Sequence, residues 1–249
     1  LKPNQKMDVM KMNDAIKQGE KIIILGPICR AGKSYSMAGV IKERYGDNYL
    51  ILTAAVNETA TQYVKLLKTY REFNEYNVTI LNRGTARMVS GSIKKNTKNI
   101  IIVSDMYIKN TTSIQYDDDN HNGKFKKLKW LKDMNFDIVF YDECHKGGTS
   151  ILAQKMMSYY GDKSVNVFIT ATYGKPMETY EGSLITWDLE DVRLMKNIRS
   201  PEMQKRFIEK HGKYGEEILD VYSHRSIEKE FEDYPELNIL THEINDEVV

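Results

Sequence analysis

The sequence predicts an α/β protein: a mostly parallel sheet with helices on both faces. Three observations lead there. Short apolar runs recur along the chain. Several of them are apolar at consecutive positions instead of alternating, as strands buried on both faces are. Helical patterns lie between the runs, and parallel strands need such crossovers.

The elements follow in order. An opening helix over 5–18 leads into the apolar run "KIIILG" (21–26). A helix over 32–45 precedes "NYLILTAA" (48–55), and one over 57–73 precedes "NVTIL" (77–81). "NIIIVS" (99–104) is the next strand. Residues 109–123 are polar, acidic and rich in turn formers, and read as a surface loop. A helix over 124–134 comes before "FDIVFYD" (136–142), one over 150–160 before "VNVFITA" (165–171), and "GSLITWD" (182–188) before a helix over 189–197. From Ser200 the chain becomes charged and helical, starting at Pro201, with a last strand over 235–244. This sets residues 1–198 apart from an extension or linker over 199–249.

Composition narrows the classes. At 249 residues, 41% hydrophobic and 29% charged, the chain is an ordinary globular one. The net charge of +1 gives no global field for nucleic acid. "KKNTK" (94–98) and "KFKKLKWLK" (124–132) could form local basic faces, though solvated surface explains them as well. Two cysteines, Cys29 and Cys144, fit neither a zinc spacing nor a disulfide framework, and suit a reducing, cytoplasmic setting. No run reaches the roughly 18 apolar residues of a membrane span. The chain opens on Leu1, which points to a piece of something longer. High Lys, Asn, Ile and Tyr content suits an AT-rich genome, such as that of a phage, a virus or a low-GC bacterium.

The chemistry concentrates in two stretches. "GPICRAGKSYS" (26–36) follows a strand and opens a helix, the setting of a phosphate loop. The pattern G-x-x-x-x-G-K-S/T wants a glycine where Pro27 stands. In such a loop Gly32 lets the backbone approach a phosphate, Lys33 reaches the β- and γ-phosphates, and Ser34 puts its hydroxyl on Mg²⁺. Tyr35 follows directly, and Arg30 either crowds the turn or contacts phosphate. The alternative is an ordinary glycine-initiated helix with an exposed lysine. "VFYDECHKG" (139–147) ends a strand in two carboxylates, Asp142 to hold Mg²⁺ and Glu143 to polarise the attacking water. Zinc on Cys144 and His145 lacks further ligands. A metal site at Asp117, Asp118, Asp119 and His121 lacks a rigid frame.

Together these stretches resemble the first RecA-like domain of a superfamily 2 helicase or translocase, a P-loop NTPase fold. "YDECH" is similar to that family's motif II, and the family tolerates loss of the first loop glycine. "LKPNQ" (1–5) resembles the L-R-P-Y-Q opening of restriction-type members, which implies that Gln5 reads an adenine edge. "TAAVNETATQ" (53–62) resembles motif Ia, with Asn57, Glu58 and Gln62 placed toward a nucleic-acid backbone, although its usual proline and arginine are replaced. "FITATYGKP" (168–176) resembles motif III, where Thr170 and Thr172 would couple to His145 and the rest of motif II. Tyr173 stands where a proline often follows.

The resemblance covers roughly residues 1–198. It implies ATP and Mg²⁺ as cofactors, nucleic acid as partner with DNA ahead of RNA, and a second RecA-like domain in the same longer chain. No motif VI follows Thr172, so the isolated chain is expected to hydrolyse ATP weakly. Two rival readings stand: a P-loop NTPase that does not act on nucleic acid, and a degenerate RecA-like module that binds a protein.

Overall fold

The computed structural model describes residues 1–53, 59–82, 84–85, 89, 93, 97–104, 107–108, 129–142 and 151–234. The helices are α1 (Pro3–Lys17), α2 (Lys33–Arg44), α3 (Thr59–Thr69), α4 (Ile151–Tyr160), α5 (Gly174–Thr179), α6 (Leu189–Lys196), α7 (Pro201–His211), α8 (Lys213–Val221) and α9 (His224–Phe231). A 3₁₀ turn follows α3 at Arg71–Phe73, and a one-turn helix stands at Lys129–Lys132. The strands are β1 (Ile22–Pro27), β2 (Asn48–Thr53), β3 (Tyr76–Leu81), β4 (Lys98–Ser104), β5 (Ile138–Asp142), β6 (Val165–Ile169) and β7 (Ser183–Trp187). The strand expected over 235–244 and the polar segment 109–123 lie outside the described residues.

The strands form one sheet in the order β3-β4-β2-β5-β6-β1-β7. Each pairing with a described register is parallel. The consecutive apolar positions have their cause here: side chains alternate across a strand, and both sheet faces are covered. Ile23 and Leu25 of β1, Ile51 of β2 and Phe140 of β5 pack on one face with Val9 of α1, Met37 of α2 and Leu67 of α3. Ile24, Leu52, Val139 and Phe168 point the other way, toward Leu131 and Tyr159. This is the expected α/β architecture, a parallel sheet covered on both faces.

Helix α1 starts earlier than its apolar pattern suggests because Pro3 stands in its first turn, where the missing N–H costs nothing. β6 ends at Ile169, short of the expected 171. There the Thr170 hydroxyl accepts from the Thr172 N–H at 3.0 Å and donates to the Thr172 carbonyl at 3.1 Å, turning the chain off the ladder.

The chain divides into two compact units, Leu1–Thr186 and the residues from Trp187 on. In the second, α6 packs with α7 and α9. Its centre is aromatic: Trp187 lies edge-on to Phe207 and stacks with His211 and Phe231. Among the described residues no helix is long and apolar enough to cross a membrane.

The two basic stretches have structural duties where they are described. Lys98 sits 3.5 Å from the centre of the Tyr45 ring and donates to the Tyr45 carbonyl at 2.7 Å. Lys132 lies 4.4 Å from the centre of the Tyr159 ring.

Candidate nucleotide site

The site begins where β1 runs out. After Pro27 the chain turns through Ile28 to Gly32, and α2 opens at Lys33. Two residues shape the turn. Arg30 takes a left-handed φ of 66°, and Gly32 a φ of 84°. The first is unusual for a side chain of that size. At the second, glycine answers two demands. Its φ suits no other residue well, and a Cβ there would run into the Gln5 amide nitrogen.

Helix α1 grips this loop. The Asn4 amide donates to the Ala31 carbonyl at 2.8 Å, and the Gln5 amide donates to the same oxygen at 3.4 Å. Gln5 also accepts from the Lys2 N–H at 3.0 Å. The side chain that the resemblance assigns to an adenine edge is therefore engaged with backbone at both ends. Further on, the Ser36 hydroxyl donates to Asp8 at 2.8 Å, and both residues are buried. Asn4, Asp8 and Ser36 carry no functional signal in the sequence. Their common feature is a polar residue on the buried side of an amphipathic helix.

What this frame presents is the start of α2. The first backbone N–H groups of a helix have no partner inside it, and its dipole adds partial positive charge. No acidic residue stands in this first turn. Lys33 and Ser34 are both half-buried there. The arrangement can hold an anion. Tyr35, in the same turn, is 41% exposed and lies edge-on to Tyr70 with ring centres 6.5 Å apart.

Gly26 has a different reason from the one a phosphate-loop pattern supplies. A Cβ at Gly26 would come within 2.6 Å of Cδ1 of Tyr173. The Tyr173 ring, which stands where a proline often follows T-A-T, is packed against that bare backbone.

The sheet register brings the other pieces to the same edge. Leu25 of β1 pairs with Ile169 of β6, Ile169 with Asp142 of β5, and Asp142 with Thr53 of β2. These four form one row at the carboxyl ends of their strands. Asp142 shares the strand face of Phe140, the face that α1, α2 and α3 cover. It is 9% exposed, and the Tyr63 hydroxyl of α3 donates to its Oδ2 at 2.6 Å. Thr170 lies just beyond Ile169, buried, its N–H bonded to the Leu25 carbonyl at 3.0 Å. Thr172 is exposed.

A buried carboxylate and a helix-start hydroxyl are hard oxygen donors of the kind Mg²⁺ takes, so Asp142 and Ser34 fit that ion by type. Gln62 is exposed on α3, next to buried Tyr63. Asn57, Glu58, Glu143 and His145 lie outside the described residues. Tyr63 was not legible as a site residue. Its spacing with Ala60 and Leu67 reads as a core stripe, which it also is.

The family described as "Type III restriction enzyme, res subunit" matches residues 1–175. No curated protein matches the chain. Among solved structures it is similar to the UvsW helicase from Bacteriophage T4, at 15% identity and a TM-score of 0.46, over 70% of this chain and 58% of that one. It is also similar to the Sulfolobus solfataricus SWI2/SNF2 ATPase core in complex with dsDNA, at 15% identity and a TM-score of 0.46, over 69% of this chain and 32% of that one. The chain thus spans 58% and 32% of the length of these two proteins.

Proposed function

The chain belongs to the family of type III restriction enzyme res subunits, a helicase-like motor family, and from that premise we propose that it binds and hydrolyses ATP to drive movement on nucleic acid, as the first motor domain of a longer protein. The observation that carries this reading is the shared sheet edge. The loop after β1, Thr170 after β6 and Asp142 at the end of β5 all meet there. Ligands of open α/β sheets bind outside the carboxyl ends of the strands.

In this mechanism the N–H groups at the start of α2 and the Lys33 ammonium hold the β- and γ-phosphates, and Arg30 adds a further contact. Ser34 and Asp142 would hold Mg²⁺, which neutralises phosphate charge when bound. Glu143 orients the hydrolytic water. An adenine contact by Gln5 requires it to loosen its bond to Ala31, which would link base binding to loop shape. Thr170, Thr172 and His145 couple nucleotide state to the grip of Asn57, Glu58 and Gln62 on the phosphate backbone. A second RecA-like domain closes the site and supplies the arginine that speeds hydrolysis. The restriction-type family favours DNA over RNA. The motor domain is assigned to residues 1–198, with 199–249 leading toward that second domain.

The test is ATP hydrolysis by this chain, and by one extended at its C-terminus, with single-stranded DNA, duplex DNA or RNA. The expected result is a nearly inert short chain and an extended chain stimulated by DNA. Nucleotide binding with no response to any nucleic acid would replace this reading with an NTPase or partner-binding module.

A further inference from the structure

Resting on that reading, we propose that Tyr63 is a positioning residue for the Mg²⁺ site and ties the first turns of α3 to the carboxylate of Asp142. Tyr63 is 2% exposed, and its hydroxyl donates to Asp142 Oδ2 at 2.6 Å. The two residues are far apart in sequence, so the contact is made by the fold and not by local geometry. Asp142 sits at the last position of β5, in register with Thr53 of β2 and Ile169 of β6, so the sheet places its backbone while its side-chain torsions are set by what touches the carboxylate. A hydroxyl donor on one oxygen restrains the carboxylate plane. Because the phenol is neutral, it does so without cancelling the charge that a divalent cation needs. Partners of this kind, which orient a ligand while not themselves binding the ion, raise metal affinity.

The other end of the link is equally specific. Tyr63 adjoins exposed Gln62 in the first turns of α3, and Ala60 and Leu67 anchor the helix in the core on the same side as Tyr63. A load taken at the exposed face of α3 is carried as a rigid body to the Tyr63 hydroxyl. The path from a strand of nucleic acid to the ion is then one helix turn and one hydrogen bond.

The experiment is Tyr63→Phe, which keeps the ring and removes the donor. A fluorescent ATP analogue is titrated with and without Mg²⁺ on the full chain, and Mn²⁺ binding is followed by electron paramagnetic resonance in the presence of ATP. In the variant, the Mg²⁺ concentration for half-maximal tightening and the Mn²⁺ dissociation constant should both rise by about tenfold or more, as loss of an orienting partner does. Analogue affinity without Mg²⁺ should hold. Metal midpoints that stay within twofold of wild type would overturn the inference alone. A wild-type chain whose nucleotide affinity ignores Mg²⁺ would overturn the reading beneath it as well.

Discussion

Two buried aspartates in this molecule make opposite use of the same side chain. Asp191 lies in the first turn of α6. It forms a capping box with Asp188, its Oδ2 accepting from the Asp188 N–H at 2.8 Å. Its Oδ1 lies 2.8 Å from the Lys210 ammonium and 2.7 Å from Nε2 of His211. Burial pushes the Asp191 carboxyl up, but the hydrogen bonds from His211 and Lys210, with that from Asp188, outweigh it and hold it below its ordinary value. Its charge is used to join α6 to α7. Asp142 instead takes a neutral phenol on Oδ2 at the open end of a strand. Burial alone therefore does not say what a carboxylate does: one of the two is bound up with Lys210 and His211 between helices, the other stands at a strand end beside a phenol.

Lys33→Ala separates the two regions from the ligand side. Binding of a fluorescent ATP analogue should fall by about 10- to 100-fold, the worth of one charged contact, while the unfolding midpoint of the chain should hold. Unchanged affinity would mean that the first turn of α2 is only a helix start. Asp191→Ala should do the reverse. Removing one partner of a buried charged cluster costs about 3–5 kcal/mol, read in urea unfolding followed by the fluorescence of Trp187, and analogue affinity should hold.

Acid sharpens the same contrast. The Asp191 carboxyl is depressed in the folded chain, so its stabilisation is complete above its ordinary value of 3.8 and is lost as pH falls through the lower folded value. Lys210 runs the other way. Burial lowers it, but the hydrogen bonds it donates to Asp188 and Asp191 raise it above its ordinary 10.5, so its share is lost only as pH rises through that raised value. Asp191→Asn should flatten the acid limb of stability against pH; an unchanged limb would assign it to other carboxylates. The smallest effect is expected at Arg30→Gly. Relief of the left-handed φ is worth about 1–2 kcal/mol, of which glycine's extra chain freedom takes back about 0.5–1 kcal/mol, so the unfolding midpoint should rise slightly while analogue affinity drops if the guanidinium holds phosphate, as proposed.

The sequence was most readable where one physical cause dominated. Strands covered on both faces show as unbroken apolar runs, so β1, β2, β4 and β5 could be placed within a residue or two. Ends were harder. Thr170 and Ala171 look like strand residues, and only the bonds from the Thr170 hydroxyl to Thr172 show why the ladder stops. In the candidate site, the loop lysine and the strand-end aspartate were legible because their chemistry is local. The grip of Asn4 and Gln5 on Ala31 and the contact of Tyr63 with Asp142 were not, since each joins elements far apart in the chain. Tyr173 read as a lost proline. The structure gives it a place of its own against the bare backbone of Gly26.

One consequence follows from the position of β6. It stands between the strand that carries the loop and the strand that carries Asp142. Neighbouring strands run about 4.8 Å apart, so this single insertion spaces β1 and β5 by about 9.6 Å. That gauge is written in main-chain hydrogen bonds, which no side-chain replacement can shorten. The loop can therefore carry Arg30 at a left-handed φ, and Pro27 where the pattern wants a glycine, and the spacing of β1 and β5 stays as the sheet ruled it.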